Sequence, residues 1–413
     1  MFDPLERFLF DTGMHPDCID LNRETRLLEE QMEADLRGLP SGIKMIPSRL
    51  RLPERAPSSG TAAALDAGGT HFRAALVEFY DGGARVSRLD EYPMPGTDGP
   101  LDRAGFLSRC AEYVEPVARM SGKIGYVFSY PAEILPNLDG RLKVFQKEVA
   151  VTGCEGMEVC ASLEEELKRR GMPGSRSYVL VNDTVAALLG NWVRYCGEGF
   201  DGAVGLVYGT GTNTCYSGGG EIINMESSGY TLFPKGKFDL ELDARSALPG
   251  DNLYEKMVSS VYMGELIRMA ADAAAQEGVL SRGFGERLRL HGQINAPQAD
   301  EFIRGRGGPL GELCREADDA DRLAEIIKLL YRRAGKLGCA VITAAMTAAA
   351  GGKKGLFCLA CEGSAYWKSV LYAPELAGFL ENYTRSQRGY DHRIVRTDNS
   401  NLTGAAAAAA SQA

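Results

Sequence analysis

Two apolar runs broken by a glycine turn constrain this chain more than any other feature. Residues 62–77 read A-A-A-L-D-A-G-G-T-H-F-R-A-A-L-V. The first run ends in Asp66, the turn holds Gly68, Gly69 and Thr70, and the second run continues through Ala74, Leu76 and Val77. Two strand-like runs joined in this way specify a β-hairpin. Glycine is expected in the turn because the backbone takes φ > 0 or because it lies close to another group. Consecutive N–H groups in such a turn form an anion-binding concavity. An aspartate at its mouth suits a Mg²⁺ ion or its water shell. A nucleotide-phosphate cradle and a plain surface hairpin both satisfy these residues, so the rest of the chain has to decide between them.

A second stretch of the same form follows about 140 residues later, as internal repeats do. Residues 203–208 read as a strand, Gly209-Thr210-Gly211-Thr212-Asn213 as the turn, and Thr214, Cys215 and Tyr216 as the return. Two such devices suggest two related α/β halves facing one cleft. Residues 124–131 (I-G-Y-V-F-S-Y-P) and 178–181 read as buried strands; the second is followed by Asn182, Asp183 and Thr184 and then a helix over 185–193. Helical spacing is also read at 21–36, 103–120 and 162–170, and in long stretches at 252–274 and 319–350, so the second half is the larger and more helical. Residues 356–360 are one more buried strand, and the Pro-rich, basic residues 40–57 an extended connector. Residues 404–410 are almost pure alanine, the strongest helix former, yet too short to stand alone. This tail is expected to dock on something.

Length suggests roughly two to three domains for 413 residues. A net charge of −9 argues against an electrostatic nucleic-acid footprint and leaves a bound nucleotide open. No apolar segment is long enough for a bilayer span. Residues 1–10 lack the basic and continuous apolar regions of a signal peptide. Ten scattered cysteines favour reduced thiols, so a cytoplasmic location is expected.

Polar residues interrupt the apolar runs at Ser129, at Asn182 with Asp183, at Asn213 and at Glu226; Glu255 opens a helix. Polar residues at strand ends are where open α/β sheets bind ligands. Carboxylates and amides together can hold the hydroxyls of a neutral polyol by paired hydrogen bonds. One carboxylate can also act as a general base. Asp183, at a strand-to-helix junction, is the best placed, and an N-cap for the following helix is its competing role. Cys358 and Cys361 form a C-x-x-C, but none of the four histidines (His15, His71, His291, His392) has metal spacing to them. Core packing is expected of these thiols.

In sum of order and content, these motifs resemble the eukaryotic-type hexokinases of the actin-like sugar kinase and ATPase superfamily. L-D-A-G-G-T-H-F-R (residues 65–73) is similar to their first phosphate motif, F-S-Y-P (128–131) to their sugar-binding F-S-F-P, V-N-D-T-V (181–185) to their catalytic segment, and G-T-G-T-N-T-C-Y (209–216) to their second phosphate motif. N-M-E (224–226), P-G-D-N-L-Y-E-K-M (249–257), Y-M-G-E-L (262–266) and G-I-K-M-I-P-S (42–48) follow the family as well. The likeness covers nearly the whole chain and is weakest at about residues 276–320 and in the tail.

The resemblance implies a two-domain actin-like ATPase (ribonuclease H-like) α/β fold with a sugar/ATP cleft between a small and a large domain. It implies a small domain over 58–183, a large one over 184–401, an N-terminal helix and connector (1–57) on the large domain, and a C-terminal helix (402–413) returning to the small one. Asp183 is then the base for the sugar 6-hydroxyl and Lys147 the cation beside the transferring phosphoryl group. Ser129, Gln146, Lys147, Asn182, Asn213, Glu226 and Glu255 hold a hexose, with glucose the first candidate. Gly68, Gly69, Thr70, Arg73, Gly209, Thr210, Gly211, Thr212, Gly363 and Ser364 hold ATP, and Asp66 stands near Mg²⁺. The sequence departs from the family at Gln146, usually Thr; at His71, usually Asn; at Ser227 and Ser228, usually Trp-Gly; at Glu362, usually Asp; and at residues 399–406, which lack a lysine. The alternative is a non-catalytic hexose sensor on the same fold. Retention of Asp183 and Lys147 speaks against it. No zinc-binding His/Cys cluster of the bacterial repressor/kinase type is present. Oligomeric state is left open.

Overall fold

The computed structural model describes residues 3–145, 149–316 and 318–411. Two mixed sheets dominate it. The first has five strands, in the order Ser177–Val181, Lys123–Phe128, Gly60–Ala67, His71–Tyr80, Gly83–Pro93. The second has six, in the order Ile46–Pro47, Glu221–Asn224, Thr212–Gly218, Gly202–Tyr208, Gly355–Glu362, Tyr390–Val395. Each is built on one plan: a three-stranded antiparallel meander whose first strand is extended by two parallel strands. The two glycine turns therefore occupy the same place in each sheet, between the first and second meander strands. This is the α/β architecture the resemblance implied.

Strand Gly60–Ala67 is buried on both faces, and its side chains divide by parity. Ala63, Leu65 and Ala67 join the core under helix Arg103–Ala118, whereas Ala62 and Ala64 face the opposite way. Their small size admits a pair of helices that fills the space between the sheets. One is Asp183–Tyr195 and the other is the alanine-rich Ser400–Ala410. The core around this pair draws Val77, Val127 and Val179 from one sheet and Ala203, Cys215, Cys358 and Val395 from the other. The two helices meet at backbone distance. A Cβ on Gly404 would stand 1.8 Å from the Ala186 carbonyl oxygen, and one on Gly190 would stand 1.9 Å from that of Ser400.

The largest core lies behind the second sheet, around the 32-residue helix Asp319–Ala350. Helices Pro4–Asp11 and Leu21–Leu36 add Leu5, Phe8, Leu28 and Met32 to it. Lys336 Nζ donates to the Pro16 carbonyl at 3.1 Å, and Arg388 pairs with Glu29. Within this body Arg333 and Asp239 form a salt bridge with both side chains almost fully buried.

Several local expectations change. The helical stretch at 252–274 is two helices, Leu253–Val258 and Ser260–Gln276, because Ser259 takes extended backbone (ψ 157°) between them. The helix expected at 404–410 begins at Ser400, and the connector at 40–57 contributes a short edge strand, Ile46–Pro47. Cys358 and Cys361, three apart on one strand, point to opposite faces. They cannot bind a common ion. Burial pushes the Cys358 thiol up to about 12, so it is an inert packing group.

Candidate active site

The site residues stand where the carboxyl ends of parallel strands and the two glycine turns face each other. Asp66 lies near the end of Gly60–Ala67 and is only 5 % exposed. Its cross-strand neighbour Arg73 donates to its carboxylate. Burial raises the Asp66 pKa, Arg73 pulls it back, and the negative charge of Asp183 raises it again. Asp66 and Asp183 thus feel each other across the space between strand and helix.

The helix-cap question at the second junction has a clear answer. Asn182 is the N-cap residue, with extended backbone, and its Oδ1 accepts the Thr184 N–H at 2.9 Å. Asp183 is the first residue inside the helix. Its Oδ1 lies 2.7 Å from the same N–H, and the Thr184 hydroxyl donates to it at 3.2 Å. One Asp183 oxygen is engaged at the helix start, where the dipole favours a negative charge.

The second turn is braced from outside. The Gly209 carbonyl accepts the Ser260 N–H at 3.1 Å and its hydroxyl at 2.7 Å. Thr212 Oγ1 donates to the Val207 carbonyl at 3.0 Å. The Thr212 N–H donates to Glu255 Oε2 at 3.1 Å. A Cβ on Gly211 would lie 2.6 Å from that same oxygen, so the absence of a side chain at Gly211 is what lets Glu255 in. Neither Gly68 nor Gly211 has a left-handed φ. Close approach, not backbone freedom, is their reason for being glycine. At Gly68 the neighbour is the His71 carbonyl, 3.3 Å from where a Cβ would sit. Tyr130 Oη donates to the Gly68 carbonyl at 2.6 Å, and the Ser129 N–H donates to Ala67 at 3.3 Å. The backbone N–H groups of Thr70 and Thr210, at the two turn tips, have no partner among the described residues.

A chain of side-chain hydrogen bonds links the remaining polar residues. Asn213 Nδ2 donates to Asn224 Oδ1 at 2.8 Å, and Asn224 Nδ2 donates to Glu226 Oε1 at 2.7 Å. The Ser227 N–H and the Thr214 N–H both donate to Asn213 Oδ1, at 3.1 and 2.8 Å. Glu226 is held in the left-handed region (φ 42°, ψ 43°), at a cost of roughly 1–2 kcal/mol for a residue with a Cβ. Burial raises its pKa most; the Asn224 donor lowers it, Asp183 raises it, and the positive charge of Lys44 lowers it. Three carboxylates, Asp66, Asp183 and Glu226, therefore share one electrostatic neighbourhood. Asn224 and Lys44 were not among the expected site residues. The N-M-E motif carried a signal for Asn224, and nothing in the spacing carried one for Lys44.

Other expected residues are placed less centrally. Gly363 (φ 106°) packs on the Tyr208 carbonyl beside the second turn, where a Cβ would stand at 2.1 Å, and Ser364 starts the next helix. The preceding Glu362 accepts from Ser400 Oγ at 2.6 Å and from Asn191 Nδ2 at 3.3 Å, so it is tied to the helix pair between the sheets. His71 Nδ1 lies 3.2 Å from Glu91 on an exposed edge. The Ser129 side chain makes no hydrogen bond to the other site residues among the described ones. Gln146 and Lys147 lie outside the described residues. No group of three or more His, Cys, Asp or Glu side chains among the described residues forms a metal cage. No described helix is long and apolar enough to cross a membrane.

Residues 12–192 match one family model described as hexokinase, and residues 203–411 match a second with the same description. Rat hexokinase-3 is 28 % identical over 369 residues, covering 80 % of this chain and 39 % of the rat protein. The hexokinase-like 1 protein of Arabidopsis thaliana is 36 % identical over 240 residues, covering 51 % of this chain and 47 % of its own. The chain thus spans less than half the length of either relative. Among solved structures, a Schistosoma mansoni hexokinase complexed with glucose aligns over 99 % of this chain and 100 % of its own. Its TM-score is 0.74 at 22 % identity, a likeness of fold.

Proposed function

The chain belongs to the hexokinase family, and from that premise we propose that it transfers the γ-phosphoryl group of ATP to the 6-hydroxyl of a hexose, with glucose the first candidate. The observation that carries this reading is the meeting of Asp183 with Asp66 and Glu226 between two glycine turns. MgATP enters as a substrate: it brings the phosphoryl group, and its metal offsets charge on the phosphate oxygens. Mg²⁺ commonly keeps waters and phosphates as most of its ligands and takes one or two protein carboxylates. A site with a single buried aspartate and no metal cage fits that habit, and Asp66 is the carboxylate placed for it, in exchange with Arg73.

In this reading Asp183 accepts the proton of the 6-hydroxyl as that oxygen attacks. Asn213, Glu226 and Glu255, joined by Ser129, Gln146, Lys147 and Asn182, fix the sugar by its hydroxyls. Gly68, Gly69, Thr70, Gly209, Thr210, Gly211 and Thr212 offer backbone and hydroxyl donors to the phosphates, with Arg73 and Lys147 as cations. Gly363 and Ser364 border the adenosine. The sugar lies between a lobe of residues 58–183 and a lobe of residues 184–401, and their approach excludes the water that would compete as acceptor.

A coupled assay with purified protein, Mg-ATP and a panel of hexoses tests the proposal. Hexose-dependent ADP formation is expected. Hexose binding without ADP would make the chain a sensor, and ADP formation indifferent to hexose would make it a plain ATPase. A second expectation concerns Glu255. Leaving buried hydrogen-bonding partners unpaired costs roughly 1–3 kcal/mol, so Glu255→Ala should raise the sugar KM by about tenfold or more. The ATP KM should move far less. A fall in ATP affinity with sugar affinity intact would reassign Glu255 to the phosphate turn it touches through Thr212.

A further inference from the structure

We propose that Lys44 is a positioning residue of the hexose site, its ammonium standing as the counter-charge of Glu226 from a connector that belongs to neither glycine hairpin. The inference rests on the hexose reading above. Its geometry rests on strand register. Ile46 and Pro47 pair antiparallel with Asn224 and Ile223. Continued by two residues, that register brings Lys44 level with Glu226. The connector is held there on both sides. The Gly42 N–H donates to Gln31 Oε1 and the Met45 N–H to Asp35 Oδ2, each at 2.8 Å, and the Gly42 carbonyl accepts the Thr231 N–H at 3.0 Å. Ile43 and Met45 are buried at 5 % and 6 % exposure, and Lys44 between them is exposed. The alternation fixes which way residue 44 projects.

Glu226 needs such a partner. Of the groups that act on it, helix Asp183–Tyr195 supplies the repelling charge of Asp183, the neighbouring strand supplies the neutral donor Asn224, and the connector supplies Lys44, the positive charge among them. A carboxylate bonds sugar hydroxyls as a pure acceptor, and it loses that role when protonated. Burial and Asp183 both push Glu226 toward protonation, and Lys44 opposes them.

The sign of the expected effect follows. Removing the Lys44 charge lets the Glu226 pKa rise further, so the acid limb of hexose binding moves to higher pH. Lys44→Met should weaken glucose binding at about pH 6 by roughly threefold or more, with the gap closing as pH rises. Lys44→Arg should restore the wild-type profile, and kcat at saturating sugar should change little. An exposed ammonium acts through solvent, so added salt should shrink the difference. A second measurement needs no sugar. Because the folded pKa of Glu226 lies above its unfolded value, this group opposes folding increasingly as pH rises from about 4.5. The melting temperature of Lys44→Met should therefore fall behind wild type as pH increases, and that lag should vanish in a Glu226→Gln background. A Lys44→Met lag that is independent of pH, or that persists beside Glu226→Gln, overturns the pairing. If the pairing is seen and no hexose binds, the hexose reading fails and the pairing stands; if hexose binds with an unshifted acid limb in Lys44→Met, the positioning role fails and the hexose reading stands.

Discussion

Asp183→Ala should leave a folded protein that binds hexose and turns over at least ~10²-fold more slowly, the scale of a lost general base. The reason lies in how the helix start divides its work. Asn182 is the N-cap, with the backbone conformation and the side-chain bond to Thr184 that a cap requires. Loss of the Asp183 carboxylate removes a second, redundant acceptor from that N–H. It also removes one of three mutually repelling charges, which relieves the burial strain on Asp66 and Glu226. The melting temperature should accordingly stay near wild type or rise. A purely structural residue gives the opposite signature: turnover near wild type with a lowered melting temperature. Calorimetric glucose binding, a thermal melt and a steady-state assay on the one variant separate the two.

The largest expected effect on stability belongs to Gly404. Its Cα faces the backbone of Ala186 so closely that any side chain collides with a carbonyl group, not with a rotamer that can move aside. Overpacking a close-packed site costs typically 1–3 kcal/mol, and an unyielding backbone obstacle puts Gly404→Val at about 3 kcal/mol or beyond. The helix that would be displaced touches helix Asp183–Tyr195 and strands Gly60–Ala67 and Lys123–Phe128. Its start is tied to Glu362, beside the second turn. Gly404→Val should therefore lower the melting temperature and also reduce the stabilisation that saturating glucose confers. Gly404→Ala, with the same first collision and less bulk, should show both changes in milder form, which keeps the test open if the valine variant does not accumulate. Melting curves indistinguishable from wild type, with and without glucose, would mean that the two helices do not pack in this way.

Much of the architecture was legible before any coordinate. The hairpin at residues 62–77 and its echo at 203–216 are local objects, and each declares itself by two apolar runs and the glycines between them. The long helix Asp319–Ala350 and the terminal alanine helix follow likewise from periodicity and propensity. Polar residues stranded at the ends of apolar runs marked Asn182, Asp183, Asn213 and Glu226 as the places to look. These are properties of short windows, where neighbours in sequence are also neighbours in space.

Tertiary structure decided the rest. That Asn182 caps the helix and Asp183 follows it depends on the backbone angle at one junction. That Gly211 is required by the Glu255 carboxylate depends on a helix that begins some forty residues later. The left-handed turn at Glu226, the Asn213–Asn224–Glu226 chain and the placing of Lys44 opposite Glu226 all arise from strand pairings between distant segments. Side-chain periodicity states which face of a strand is buried. It does not state which strand lies alongside, and a shift of one residue would send every side chain to the other face. Propensity and pattern act through the bonds of the chain itself, so the sequence alone determined the elements; register and close approach are set by packing the whole molecule, so only the fold could determine which charges meet.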